Sequence, residues 1–156
     1  MHYTNIKMIQ IKQCQIEDID ALVDLFDAYR VFYEKDSNKI SARNFLLERI
    51  TNKESVIFVS QNEALALTGF VQLYPVFSST RMKRLWLLND LFVDPLQRGK
   101  GISKKLIQRA QQLCVETESC GMILETAKSN LIGNQLYPAT GFELDGDHNY
   151  YSWNVK

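Results

Sequence analysis

The sequence has few of the residues on which disulfide-bonded or metal-bound domains depend. Its 156 residues include only three cysteines, Cys14, Cys114 and Cys120, an odd number with no Cys-x-x-Cys spacing. Disulfide frameworks and zinc sites use paired or closely spaced cysteines. We therefore expect neither a disulfide framework nor a metal site.

Long apolar runs and an excess of one charge are also absent. The first residues, MHYTNIKMIQIKQ, contain no run suited to a signal peptide, and no segment approaches the roughly 20 apolar residues of a spanning helix. Eighteen basic residues balance eighteen acidic ones, so the charge indicates neither nucleic acid nor a membrane as partner. We expect a cytoplasmic protein with a single domain over 1–156.

Apolar periodicity predicts a series of strands and helices. The order is a strand near Ile6 to Ile11, helices over 17–33 and after a Ser41 cap, strands over 56–60 and 65–74, a loop from Pro75 to Arg84, strand 85–93, a helix after Gly101, strand 122–126, helix 130–140 and a terminal hairpin over 142–155. The pattern predicts an α/β (α+β) fold. Its mixed, mostly antiparallel sheet has about seven strands, with helices on both faces.

The stretch from Leu87 to Gln112 predicts an anion-binding site. An apolar strand ends in the turn QRGKG and passes directly into an amphipathic helix, and both glycines and helix N-termini bring backbone N–H groups to phosphates. A P-loop would need glycine where Asp94 stands, and the dinucleotide fingerprint would need glycine in place of Lys104. The turn therefore suits a different nucleotide-like cofactor.

Two motifs resemble those of the GNAT N-acetyltransferase superfamily. VDPLQRGKGISKKLI is similar to its acyl-CoA-binding motif, with Arg98 and Gly101 in place and Ser103 where Gly or Ala is usual. NLIGNQLYPATGF, from Asn130 to Phe142, is similar to its second motif, Asn-x-x-Ala-x-x-Leu-Tyr followed by Gly-Phe, with Gly133 for Ala. The chain is thus identified as a member of this superfamily. YRVFY, QLYPVFSS and LNDLFV resemble its histone/polyamine and diamine acetyltransferase branch.

The resemblance implies acetyl-CoA as cofactor. Amides of the glycine turn would bind its pyrophosphate, while the preceding strand would splay from the Met122 strand and pair with the pantetheine arm. Lys100 is either a phosphate ligand or an ordinary exposed residue, and Asn130 also suits a helix N-cap. The expected CoA-binding residues are Leu91, Phe92, Val93, Arg98, Gly99, Lys100, Gly101, Ile102, Ser103, Asn130, Asn134 and Tyr137.

The activity that the resemblance implies is acetyl transfer to a primary amine by direct attack in a ternary complex. Tyr137 is the expected general acid for the departing thiolate, with a half-buried core aromatic as the alternative. Asp90 interrupts an apolar strand and is either the base or amine binder or a residue that holds the backbone. Glu125 is a reserve base, and Asn89 stands where diamine acetyltransferases have Glu.

The acceptor is expected to enter between the first two helices and the loop that follows Pro75. Small amines, polyamines, protein lysines and N-termini all remain open. Two other functions remain alternatives: a non-catalytic acyl-CoA-binding module, and an assembly protein in which HNYYSWNV forms a dimer seam, homodimers being common in the family. The expected substrate-binding residues are Tyr29, Tyr33, Glu34, Tyr74, Trp86, Asn89 and Glu125.

Overall fold

The computed structural model describes residues 8–156, so Ile6 of the predicted first strand lies outside the described residues. The chain forms two compact units, the first ending at Glu125 and the second comprising Thr126–Lys156. None of the helices in the described part has the length and apolar character needed to cross a bilayer.

The elements of the first unit are β1 (Gln10–Gln13), α1 (Ile19–Phe32), α2 (Lys39–Thr51), β2 (Val56–Gln61), β3 (Leu67–Ser78), β4 (Lys83–Val93), α3 (Ile102–Glu116) and β5 (Met122–Ile123), and the second unit contains α4 (Leu131–Ala139).

The first unit is built on one mixed sheet in the order β1-β2-β3-β4-β5. All neighbours are antiparallel except β4 and β5, which are parallel. The predicted α/β class with a mostly antiparallel sheet is confirmed. Residues 8–156 contain five strands rather than about seven.

Helices cover both faces of this sheet because β2 alternates its apolar side chains between them. Ile57 and Val59 belong to the core under α1 and α2, together with Phe70 and Phe92. Phe58, between them, lies on the other face, where the Arg109 guanidinium of α3 stacks 4.2 Å from its ring centroid. The single-domain expectation for 1–156 stays a prediction.

Pro75 does not end its strand as predicted. β3 continues to Ser78, and Pro75 pairs with Trp86 of β4. The pairing of β2 with β3 stops at Val56↔Leu73, so Pro75 lies on an edge where no ladder bond needs its missing N–H. The expected loop to Arg84 is therefore mostly a β-hairpin with a short turn.

The predicted terminal hairpin over 142–155 is also wrong, because this segment forms no strand. Asp145 Oδ1 accepts hydrogen bonds from the amides of Asp147 (2.9 Å) and His148 (3.2 Å), which makes a local Asx turn. Tyr150 and Trp153 are 78% and 85% exposed. Alternating apolar residues favour a strand only where a partner strand and a core receive them.

The start of α2 depends on Asn38 rather than on Ser41, the predicted cap. The Asn38 side chain accepts a hydrogen bond from the Ser41 amide at 3.0 Å. Asp27 of α1 is buried, with only 4% of its surface exposed. Its carboxylate accepts hydrogen bonds from the Ser37 hydroxyl (2.6 Å) and the Asn38 amide (2.8 Å), which fixes α2 against α1.

We expect Asp27→Asn to lower the free energy of unfolding at pH 7 by about 1–3 kcal/mol, since it replaces a charged acceptor of two hydrogen bonds. The Ser37 hydroxyl and the Asn38 amide lower the pKa of Asp27. A lowered folded-state pKa adds stability that is present above the unfolded value of about 3.9 and is lost as the pH falls through the folded value. Urea unfolding at pH 7, 5 and 3 should show similar gaps between wild type and variant at pH 7 and 5, and a smaller gap at pH 3.

The matched control is Asp24→Asn, one turn earlier on α1. The Asp24 side chain is 69% exposed and pairs with Lys39 at the surface, so this variant should lose little stability. Equal losses in the two variants would contradict the role given to Asp27.

Candidate functional site

A cleft of about 390 Å³ opens between α1, α2 and the strands β3 and β4 of the first unit. Its volume is at the small end of the range for ligand sites. Three of the predicted residues, Tyr74, Asn89 and Asp90, lie together in its wall. The lining residues are Phe26, Arg30, Ser41, Ala42, Phe45, Tyr74, Asn89 and Asp90.

A β-bulge places two consecutive polar residues in this cleft. Gln72 pairs with Asp90 and Leu73 pairs with Leu88, so Asn89 is an extra residue in β4. The extra residue interrupts the strict alternation of strand side chains, and both Asn89 and Asp90 line the cleft.

The Asp90 carboxylate is buried and oriented by two amide groups. Gln72 Nε2 donates to its Oδ2 at 2.7 Å, and Asn89 Nδ2 donates to its Oδ1 at 3.0 Å. Asp90 is 6% exposed, and Gln72 is completely buried. Since each carboxylate oxygen can accept a further hydrogen bond, this group can hold an ammonium ion or receive a proton from it.

Tyr74 adds a protonated hydroxyl to the same cleft. The pKa of Tyr74 is raised to about 12, mainly by burial and secondly by the nearby Asp90 charge. Arg49 and a hydrogen bond with Gln72 act in the opposite direction. At neutral pH the phenol therefore keeps its proton. It can donate a hydrogen bond, but it is a poor base.

The far end of β4 leaves one backbone edge open. β5 pairs with β4 only at Trp86↔Met122 and Leu87↔Ile123. Beyond these positions, through Val93, β4 pairs within the described residues only on its β3 side. β4 thus parts from β5 where the splay was predicted, and an extended ligand can add to this edge as a strand would.

The glycine turn follows β4 directly. Gly99 (φ +78°) and Gly101 (φ +75°) are both left-handed, and a Cβ at either place would meet no atom within 4 Å. Gly101 is the N-cap of α3, whose first backbone bond runs from Lys105 N to Gly101 O. Amides 102–104 precede that bond and lie at the positive end of the helix dipole.

The two basic side chains of the turn, Arg98 and Lys100, form hydrogen bonds with residues in it or near it. Arg98 Nε donates to the Val93 carbonyl at 3.2 Å, and its guanidinium lies 5.8 and 5.7 Å from the ring centroids of Phe32 and Phe92. Lys100 Nζ donates to Gln97 Oε1 at 2.7 Å. The backbone amides are therefore the groups of the turn that remain available to an anion.

In the second unit, Asn130 begins α4. Its Oδ1 accepts from the Gly133 amide at 3.0 Å, and its Nδ2 donates to Thr126 Oγ1 at 2.9 Å. A Cβ at Gly133 would lie 2.5 Å from Asn130 Nδ2, so alanine at this position would require the Asn130 side chain to move. Asn134 Nδ2 donates to the carbonyls of Ala127 and Asn130.

Tyr137 lies on α4 four residues after Gly133. Its ring packs edge-to-face on Phe142, with centroids 5.8 Å apart. Gly141 (φ +93°) ends the helix, with its amide bonded to Pro138 O and the Phe142 amide bonded to Tyr137 O. This Schellman arrangement ends α4 close to the boundary predicted for the helix over 130–140.

The other predicted substrate residues do not line the cleft. Tyr29 packs on Phe70 and Phe92, and Tyr33 packs on Tyr29. Trp86 is 3% exposed, and its indole donates to Thr117 at 2.9 Å. The remaining two are Glu34, which follows the α1 C-cap with φ 60°, and the exposed Glu125.

Sequence reasoning missed two residues of the cleft's polar machinery, Gln72 and Arg30. Gln72 had a signal, because it is a polar interruption in the apolar run of β3 just as Asp90 is in β4. Arg30 had none, since an arginine on a helix is normally solvated. Cys14 is not a candidate nucleophile, because burial raises the pKa of its thiol to about 12.

Comparisons with known proteins bear on this fold and site. The chain matches the Acetyltransferase (GNAT) family model over residues 20–142. It is 37% identical over 147 residues to the uncharacterized N-acetyltransferase YhfO of Bacillus subtilis (strain 168), which covers 94% of this chain and 98% of that one. It is 31% identical over 128 residues to a probable acetyltransferase of Haemophilus influenzae, with 82% and 86% coverage. The crystal structure of a probable acetyltransferase shares 36% identity and a TM-score of 0.90, covering 94% and 98%.

The fold and these matches define an enzyme of the acyltransferase class. The chain belongs to the GNAT family of acetyltransferases, whose members use acetyl-CoA. The matches support the family but not the narrower histone/polyamine and diamine branch. Cytoplasmic location and a homodimer stay predictions.

Proposed function

We propose that this protein transfers an acetyl group from acetyl-CoA to a primary amine by direct attack in a ternary complex. One observation carries the proposal: β4 contributes to two adjacent features. Asn89 and Asp90 line a polar cleft, and the next three residues, Leu91 to Val93, form an open backbone edge that leads to the glycine turn. A single strand can thus hold an amine in the cleft and a CoA thioester along its open edge.

The chain's residues fit the CoA half of this reaction. Amides from Arg98 to Ser103 bind the pyrophosphate at the N-terminus of α3, where left-handed glycines leave the space of a Cβ empty. Leu91, Phe92 and Val93 pair with the pantetheine arm through the open edge of β4. The family motif gives Asn130 and Asn134 contacts with the same arm, and their amide bonds within the second unit fix their orientation.

The reaction forms a carbon–nitrogen bond and breaks a carbon–sulfur bond. Asp90 holds the amine and takes or relays the proton that nitrogen must lose before attack. The neutral amine attacks the thioester carbonyl, and Tyr137 donates a proton to the departing thiolate. The nitrogen then loses its extra proton, which returns to Tyr137 through solvent. Tyr74, protonated at neutral pH, donates a hydrogen bond in the acceptor cleft.

The experiment that tests this function is a thiol-release assay with acetyl-CoA and a panel of primary amines, with mass spectrometry of the products. Amine-dependent release of free CoA together with an acetylated amine supports the proposal. Saturable CoA binding without any acetylated product would instead identify a non-catalytic acyl-CoA-binding module.

We expect Gly101→Ala to weaken CoA binding about 10-fold, because a left-handed conformation costs a residue with a Cβ roughly 1–2 kcal/mol. Relaxing that strain moves the amides of the turn away from the pyrophosphate. Isothermal titration with CoA measures the change. The control is Gly146→Ala in the second unit, a glycine with open space around it and no left-handed φ; equal affinities in the two variants would remove the turn from the CoA site.

A further inference from the structure

Among the described residues that line the acceptor cleft, one is acidic and one is basic. Asp90 lies in the β4 wall, and Arg30 of α1 also lines the cleft. The remaining lining side chains are neutral, with Phe26, Phe45 and Ala42 supplying apolar surface. A small ligand in this cleft lies between walls that contain Asp90 and Arg30.

Arg30 keeps capacity for a ligand. Its Nη1 donates to the Asp36 carbonyl at 3.1 Å and to Asp27 at a long 3.4 Å. Asp27 is already held by Ser37 and Asn38 at 2.6 and 2.8 Å. Within the described residues, the Nε and Nη2 of Arg30 make no hydrogen bond, and a guanidinium has five N–H donors in a planar fork.

The other arginine near the cleft is occupied. Arg49 affects the pKa of Tyr74, but it pairs with Glu54 at 2.6 Å and with Glu48 at 2.9 Å. Its guanidinium also stacks 4.9 Å from the Phe45 ring centroid. Among residues 8–156, Arg30 is therefore the cation that remains available to a ligand in this cleft.

We infer that the acceptor is a small amine that carries its own oxyanion, such as an amino acid. This inference rests on the proposed function and names its substrate class. Asp90 binds the amino group and Arg30 binds the oxyanion, since the guanidinium fork matches both carboxylate and phosphate. A polyamine is disfavoured because its second ammonium meets Arg30, a like charge.

The test is a matched acceptor panel assayed with acetyl-CoA. Glycine, β-alanine and 4-aminobutyrate are each compared with the corresponding carboxamide, and 2-aminoethyl phosphate is compared with ethanolamine. 1,4-Diaminobutane represents the polyamines. We expect kcat/KM to be about 10- to 100-fold higher for the oxyanion-bearing member of at least one pair, the size of a hydrogen bond to a charged group. The carboxylate and phosphate pairs show which oxyanion is preferred.

Arg30→Met keeps the length of the stem and removes the charge. It should abolish the preference within the pair. The ratio within a pair is measured on one preparation, so it does not depend on how much of the variant is folded. Arg43→Met, on α2 and paired with Asp20 at the surface, should keep the wild-type ratio, and Arg30→Lys should keep part of it.

The outcomes separate the two proposals. The inference is overturned if kcat/KM is higher for 1,4-diaminobutane than for every oxyanion-bearing amine, or if no oxyanion-bearing amine exceeds its neutral partner. Either result leaves the acetyltransferase proposal standing. An unchanged ratio in Arg30→Met also overturns the inference. If the CoA-bound protein acetylates no amine in the panel or in a wider amine screen, the proposed function itself fails.

Discussion

Replacing Tyr137 with phenylalanine is expected to lower kcat by about 10²- to 10⁴-fold, the usual contribution of a positioned general acid. Phenylalanine keeps the edge-to-face packing on Phe142, so α4 should remain folded. It lacks the hydroxyl that protonates the departing thiolate. Steady-state assays with the best acceptor measure kcat, and titration with CoA should show an affinity within a few-fold of wild type.

Tyr151→Phe is the matched control for this experiment. Tyr151 is in the same unit, is 85% exposed and lies outside both family motifs. Its variant should be fully active. If Tyr137→Phe keeps the wild-type kcat, Tyr137 is a packing residue and the proton comes from another donor or from water.

The second large effect is expected for Asp90→Asn, with kcat/KM for the amine falling about 10²- to 10³-fold. Removing one partner of a desolvated charge pair commonly costs 2–5 kcal/mol. The substitution keeps the shape of the side chain but removes the charge that holds the ammonium ion. CoA affinity should change little, because Asp90 binds the other substrate. Asp24→Asn serves again as a carboxylate control outside the cleft.

An independent readout shows whether the Asp90 charge acts where the structure places it. Burial and the Asp90 charge together raise the pKa of Tyr74 to about 12, so the pKa of Tyr74 should fall in Asp90→Asn. Ultraviolet titration of tyrosine, with Tyr74→Phe to assign the signal, measures this shift. An unchanged Tyr74 titration would contradict the proximity of the two groups.

Local signals in the sequence predicted β4, the glycine turn and α3. A nearly continuous apolar run from Leu85 to Val93 indicates a buried strand, and the two glycines before Ile102 permit a left-handed turn. Both signals lie within a few residues of the structure that they predict. Similarly, Gly141 marked the end of α4. These elements account for most of the proposed CoA-binding surface of the first unit.

Features that depend on distant pairing were not predictable in this way. Whether Pro75 ends β3 depends on where β2 stops, which is a property of another strand. The hairpin expected after Phe142 had the right alternation but no partner strand. Arg30 lines the cleft because Asp27 ties α2 to α1 through Ser37 and Asn38, and no helical pattern reveals that contact.

The extra residue at Asn89 separates two functions along one strand. In a regular strand, the face that each side chain occupies is set by counting residues in twos. The bulge shifts this alternation by one residue between Leu88 and Asp90. Residues two apart therefore share a face on either side of the bulge, but Leu88 and Asp90 lie on opposite faces. Deletion of Asn89 would leave Asp90 opposite Gln72 and therefore on its present face, but the cleft would lose the second of its two consecutive polar residues. The spacing of β4 is thus as much a determinant of this site as the identity of its side chains.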